Sequence, residues 1–186
     1  MPVNMKAVIA ETFLRMAGER SVDKISVKDL VEECHISRQT FYYHFQDLME
    51  VIEWAVSQAA RRTLEEGRQA GNAQEALRIF VTSAMEHSGL LQRLLNSQRR
   101  EQVERLMVET VRSCLEELSR DRPPMESISA GDRETALDFY AFGIVGLLLK
   151  NTGKRGLDVD LLASQMHRLL SGRMLRLRGQ EDGENP

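Results

Sequence analysis

The sequence is poor in the residues that build sheets or covalent staples. Of its 186 residues, 4 are proline, 2 are cysteine and 5% are aromatic. Strands need β-branched or aromatic runs, and none stands out. Long stretches without proline leave helices uninterrupted, so the chain is expected to be all-α. The two cysteines, Cys34 and Cys114, lie far apart with no paired spacing. That excludes a disulfide framework or a zinc site and points to a reducing cytoplasm. The opening residues, 1–6, lack the charged-then-apolar pattern of a signal peptide. The longest apolar stretch, 136–149, is interrupted by Asp138 and is too short to cross a bilayer. There is no glycine-rich phosphate loop, no set of metal ligands and no catalytic triad at an interpretable spacing. Cys34 beside His35 is a poor chelate. The expectation is a cytoplasmic, non-membrane protein that is not an enzyme and needs no cofactor. Its formal net charge of −3 does not by itself suggest a nucleic-acid partner.

What the chain does have is helix starts. Apolar residues at Ile9, Phe13, Met16 and Ala17 form one face of a first helix, which Gly18 is expected to stop. Ser26 then stands three residues before Asp29, the spacing of a capping box, with Ile25 and Leu30 placed as a hydrophobic staple. The signal repeats at Ser37, with Ile36 and Phe41 in the stapling positions, and again at Asp47 with Glu50. Residues 26–47 thus hold two short, separately capped helices joined by a tight turn. Helices this short are marginal alone and need packing from Ile9, Phe13, Leu30, Val31, Ile36, Phe41 and Phe45. Three helices in this order form a helix-turn-helix layout.

The densest chemistry lies in residues 36–45, Ile-Ser-Arg-Gln-Thr-Phe-Tyr-Tyr-His-Phe. Phe41 and Phe45 are four apart and face the same side, inward. Arg38, Gln39, Thr40, Tyr42, Tyr43 and His44 are left outside, a surface rich in hydrogen-bonding groups and free of carboxylates. Arg38 and Gln39 suit bidentate contacts to guanine and adenine edges. Tyr42 and His44 suit phosphate oxygens, which fix register.

The run from Ser26 to Phe45 resembles the DNA-binding domain of the TetR (AcrR-like) family of bacterial regulators. The closing pattern of that family, Ser-x-x-Thr-Phe-Tyr-x-His-Phe, stands here as Ser37, Thr40, Phe41, Tyr42, His44 and Phe45. The wording of the run is also similar to a branch of regulators of dihydroxyacetone kinase operons. The resemblance implies that Arg38 to His44 enter the major groove and that Ser26 and Lys28 touch the backbone from the preceding helix. Three departures stand out. Cys34-His35 replaces the usual Ala-Gly of the turn, and Leu48 replaces a Lys that would anchor a phosphate. Residues 1–47 also hold six Lys and Arg against seven Asp and Glu, a net charge of −1. Phosphate neutralisation drives nonspecific affinity, so binding to random DNA is expected to be weak.

The remaining chain reads as five or six helices. Residues 48–178 form a regulatory and dimerisation domain beside a 1–47 reading head, with 179–186 a disordered polar tail. The helix over 133–150 is apolar almost all round, and Gly143 and Gly146 let another helix approach. By the resemblance, it pairs with residues 159–170 to make half of an intersubunit four-helix bundle. Phe139, Phe142, Gly143, Gly146, Leu147, Leu162, Met166 and Leu169 are the expected interface of a homodimer. The resemblance likewise places a pocket for a small-molecule or protein effector among residues 48–118, with Trp54, Met85, His87, Met107 and Cys114 as walls. The implied function is a regulator, a repressor released from double-stranded operator DNA of inverted-repeat form by an effector. An activator of the same fold, or a helical interaction module with a degenerate DNA-binding head, is the alternative. Operator-specific binding by a dimer distinguishes them.

Overall fold

The computed structural model describes residues 4–120 and 129–171. Among them run nine α-helices and no strand. The expected tail over 179–186 and most of the loop after Arg120 lie outside the described residues.

The first four helices follow their caps. Helix α1 covers Met5–Glu19, and its end is set by Arg20, whose N–H donates to the Met16 carbonyl. Gly18 therefore does not stop it. Ala17 is fully buried, and that packing carries the last turn through the glycine. A short 3-10 turn, Val22–Lys24, leads to α2, Val27–Glu33. At its start the Ser26 hydroxyl accepts from the Asp29 N–H at 3.2 Å, and the Asp29 carboxylate accepts from the Ser26 N–H at 2.9 Å. Ile25 and Leu30, the two halves of the staple, are both buried. Helix α3, Arg38–His44, is capped by Ser37, which accepts from the Thr40 N–H at 3.0 Å. Helix α4, Leu48–Gln69, is capped by Asp47, which accepts from the Glu50 N–H at 2.9 Å.

The turn between α2 and α3 is a Schellman motif. Ile36 N–H donates to the Val31 carbonyl and His35 N–H to that of Glu32. This places His35 at the left-handed position, with φ of 54°. Glycine occupies such positions without cost, whereas a side chain adds about 1 kcal/mol or more of strain. Val31 and Ile36 lie together in the core under this turn, the apolar contact that accompanies the motif.

Beyond α4 come α5 (Ala73–Glu86), α6 (Ser88–Leu95), α7 (Arg100–Arg120), α8 (Ala130–Asn151) and α9 (Val159–Leu170). Two hydrophobic cores result. The first gathers Ile9, Phe13, Leu30, Phe41, Phe45, Val51 and Ile52, and is closed by Leu94 of α6 and Val103 of α7. The second lies among α5, α7, α8 and α9, around Val81, Val111, Ile144, Leu148 and Met166. Met107 packs against both. Helix α1 touches α2, α3, α4 and α6, so the helix-turn-helix rests on α4 and α6 instead of hanging from a linker. Among the described residues no helix is long and apolar enough to cross a membrane.

Two consequences can be measured. His35→Gly is expected to raise the urea midpoint by about 0.5–1 kcal/mol of stability, and His35→Val, β-branched, to lower it; a less stable glycine variant would contradict the strain argued for this turn. The second concerns acid. Hydrogen bonds from the Ser26 hydroxyl and backbone N–H hold the Asp29 carboxyl below its ordinary range, and the Arg15 guanidinium does the same for Glu33. Their stabilisation is complete above the unfolded values, near pH ~4, and is lost as the pH falls through the lowered folded ones. Asp29→Asn should therefore flatten the fall of helicity below about pH 4, followed by circular dichroism.

Candidate nucleic-acid interface

Helix α3 is seven residues long, too short to persist by itself. It is held by its inner face. Phe41 and Phe45 are 0% and 1% exposed, with ring centroids 6.1 Å apart, and Phe45 stands edge-on to Trp54 of α4. Burying one such ring is worth about 1.5–3 kcal/mol, more than the end effects of a two-turn helix. The period of 3.6 then turns the remaining side chains outward. Arg38 and Gln39 are exposed, Tyr42 is 58% exposed and Tyr43 83%. Two tyrosines held this far into solvent are unusual for large rings. Tyr42 packs edge-on against Phe41, and Tyr43 edge-on against half-buried His44, so the rings are oriented without being covered.

The expected contact residues differ in how free they are. Among the described residues Arg38 makes no ion pair, and its guanidinium is available to a ligand. The Thr40 hydroxyl lies 2.8 Å from that of Ser37 and shares in the cap. The Ser26 hydroxyl donates to Asp29 at 2.6 Å, so both donors of Ser26 are used inside the capping box. Lys28 is exposed, with only a loose pair to Glu32 at 3.9 Å. Leu48 is 5% exposed and belongs to the first core; this position faces inward here and offers no phosphate anchor. One cation escaped the sequence reading. Lys6 of α1 lies over the Phe45 ring at 5.0 Å, beside the end of α3, and periodicity along α1 carries no signal of that cross-helix contact.

The acidic balance of the head matters less than its count suggests. Glu33 is paired with Arg15 at 2.6 Å, and Glu32 with Lys28. Asp29 and Asp47 cap helices. Asp23 accepts from the Gln98 N–H at 3.1 Å and lies 3.8 Å from Arg99. Among the described residues, Glu11 and Glu19 are the two of the seven carboxylates left without such a partner, and neither belongs to α3. The outer face of α3 keeps Arg38 as its one formal charge.

The expected dimer residues divide by face. Phe139, Phe142, Gly143 and Gly146 follow the i, i+3, i+4, i+7 pattern down one side of α8 and are exposed, the two rings at 73% and 64%. Leu169 is 41% exposed, and Leu161 of the same helix 51%. Leu147 is half-buried. Leu162 and Met166, by contrast, are buried in the second core of the same chain. Helix α9 packs against α5, and that contact takes its most regular apolar row.

The expected pocket residues are not brought together. Trp54 and His87 line an open groove of about 490 Å³ between α1, α4 and α5. Met85 and Met107 pack into the core, and Cys114 sits half-buried in α7, its thiol pushed up by burial. The groove has further walls in Ala7, Ala10, Leu14, Ala55, Ala59 and Ile79. Only the crossing of α1 over α4 makes them neighbours.

Comparison with known proteins agrees with this geometry. Residues 9–50 match the family of bacterial regulatory proteins, tetR family. Among solved structures, the dihydroxyacetone kinase operon activator DhaS is 19% identical, with a TM-score of 0.66 over 91% of this chain and 96% of that one. A Listeria innocua protein is 17% identical, with a TM-score of 0.69 over 92% and 96%. The Thermus thermophilus FadR, a repressor solved with lauroyl-CoA, is 17% identical, with a TM-score of 0.61 over 96% and 100%. No curated protein sequence matches. The match to the tetR-family model is thus confined to the helix-turn-helix at residues 9–50, and the described fold as a whole is shared with solved regulators of that family.

Proposed function

We propose that this protein is a transcriptional regulator that acts in the cytoplasm as a homodimer on an inverted-repeat operator, and that an effector releases it. The observation that carries the reading is the exposed outer face of α3. Arg38, Gln39, Tyr42 and Tyr43 stand in solvent on a helix whose inner face is fully buried. Arg38 and Gln39 read base edges, Tyr42, Tyr43 and His44 hold phosphates, and Lys28 steadies the register from α2. Thr40 and Ser26 act mainly through the caps that fix the two helices.

The homodimer is supported by the stripe of Phe139, Phe142, Gly143 and Gly146 on α8. Two exposed phenylalanines beside two glycines offer large apolar area and close approach at one place. We assign the intersubunit surface to this stripe with Leu161 and Leu169. A two-fold dimer sets its reading heads about 34–36 Å apart or a multiple of it, which is why the operator should be an inverted repeat. Repression follows most simply from such occupancy. The fold shared with an operon activator supports activation as the second reading.

The decisive experiment is titration of the protein with its own upstream intergenic DNA and with random duplex at several salt concentrations. A regulator forms a site-specific dimer complex; equal affinity for the two DNAs would favour a protein-interaction module. Arg38→Ala should weaken operator binding by about 1–3 kcal/mol and Tyr42→Ala by about 1 kcal/mol, both with unchanged helix content. Phe142→Glu should give a monomer by light scattering and lose operator affinity with its α3 intact. A dimeric Phe142→Glu protein would move the interface off α8.

A further inference from the structure

The groove between α1, α4 and α5 has a mixed lining and an unbalanced set of charges. Ala10 and Leu14 of α1, Ala55 and Ala59 of α4 and Ile79 of α5 supply apolar lining beside Trp54, and Gln58, Thr63, Thr82 and Ser83 supply neutral polar groups, of which Thr63 and Ser83 are bonded to each other at 3.0 Å. Its charged lining is Glu11, Arg62, Glu66, Arg78 and Glu86. Arg78 is already bound to Glu75 at 2.6 Å and lies 4.0 Å from Asp160. Among the described residues the other four make no ion pair and no side-chain hydrogen bond. Three carboxylates therefore face the groove against one available guanidinium. His87 adds a ring held by its Nδ1, 2.9 Å from the Ser83 carbonyl oxygen.

We propose that this groove is a binding site for a lipophilic organic monocation. Its volume, about 490 Å³, lies within the usual range for small-molecule sites. The apolar side chains of the lining take the body of the ligand, the Trp54 ring favours a cation beside it, and the excess of carboxylates selects its sign. An anion of the same shape meets three like charges against one available guanidinium and binds more weakly. The ligand would touch α1 of the reading head and α4 and α5 of the regulatory part together, so occupancy changes how the head sits on α4. This deepens the reading of the protein as an effector-controlled regulator by naming the chemistry of the effector. The binding step itself needs no DNA.

The test uses two probes of matched shape and opposite charge, tetraphenylphosphonium and tetraphenylborate, on the full chain without DNA. Trp54 is the sole tryptophan, so its fluorescence reports the groove directly. The phosphonium should change it saturably, with the borate weaker by roughly tenfold or more. Combining Glu11→Gln with Glu86→Gln should weaken the phosphonium by roughly tenfold and narrow the gap between the probes. Arg62→Gln should tighten the phosphonium, and Glu101→Gln, away from the groove, should leave it unchanged. All these positions are exposed and their replacements keep shape, so folding is not at stake. Equal binding of the borate, absence of a saturable Trp54 signal, or an unaltered phosphonium affinity in the Gln variants would overturn the proposal. Because no operator is present, each of these outcomes leaves the DNA-binding reading standing.

Discussion

Everything this protein presents to the outside depends on two phenylalanines packed beneath a two-turn helix. Phe41 and Phe45 are fully buried, and without that anchor α3 would not hold its shape in water. The burial sets the rotation of the helix as well as its existence. Because Phe41 and Phe45 point in, the intervening and preceding side chains have to point out. The exposure of Tyr42 and Tyr43 is thus a consequence of the core and not an independent feature of the surface.

That core does not end with the reading head. Val51 and Ile52 of α4, Leu94 of α6 and Val103 of α7 close it. Asp23, in the turn between α1 and α2, reaches the corner between α6 and α7 through the Gln98 N–H and Arg99. An apolar contact and a polar strap therefore join the head to the elements that also build the second core, with Met107 packed against both. Any change in the packing of α4, α6 or α7 is felt at α3, because closely packed interiors shift as units and do not deform smoothly.

The electrostatics follow the same logic of placement over count. A chain of net charge −3 presents a face with one formal positive charge and no negative one. It does so because residues 38–46 contain no Asp or Glu, and most acidic residues around them serve as helix caps and ion-pair partners. In the groove the reverse holds: Arg78 is taken by Glu75, and three carboxylates remain against the guanidinium of Arg62. Neither surface is visible in a tally of residues, since what matters is which charges are already satisfied.

Local signals were fully legible in the sequence. The caps at Ser26, Ser37 and Asp47 and the staple of Ile25 and Leu30 all follow from short-range rules. Each involves groups within four residues of one another, whose geometry the backbone alone sets. The failures are equally physical. Gly18 was expected to end α1, but packing of Ala17 extends the helix. Leu162 and Met166 have the same apolar character as Leu161 and Leu169, and only the docking of α9 on α5 decides which pair is covered. Trp54 and His87 share a groove that Met85, Met107 and Cys114 do not reach. By itself the sequence determined the all-helical fold, the helix-turn-helix and which side of α3 faces out, because these are encoded by spacing and capping. Only the tertiary structure decided which charges stay unpaired, which face of α9 is free and where a cavity opens. Those depend on contacts between residues far apart in the chain, which no local pattern records.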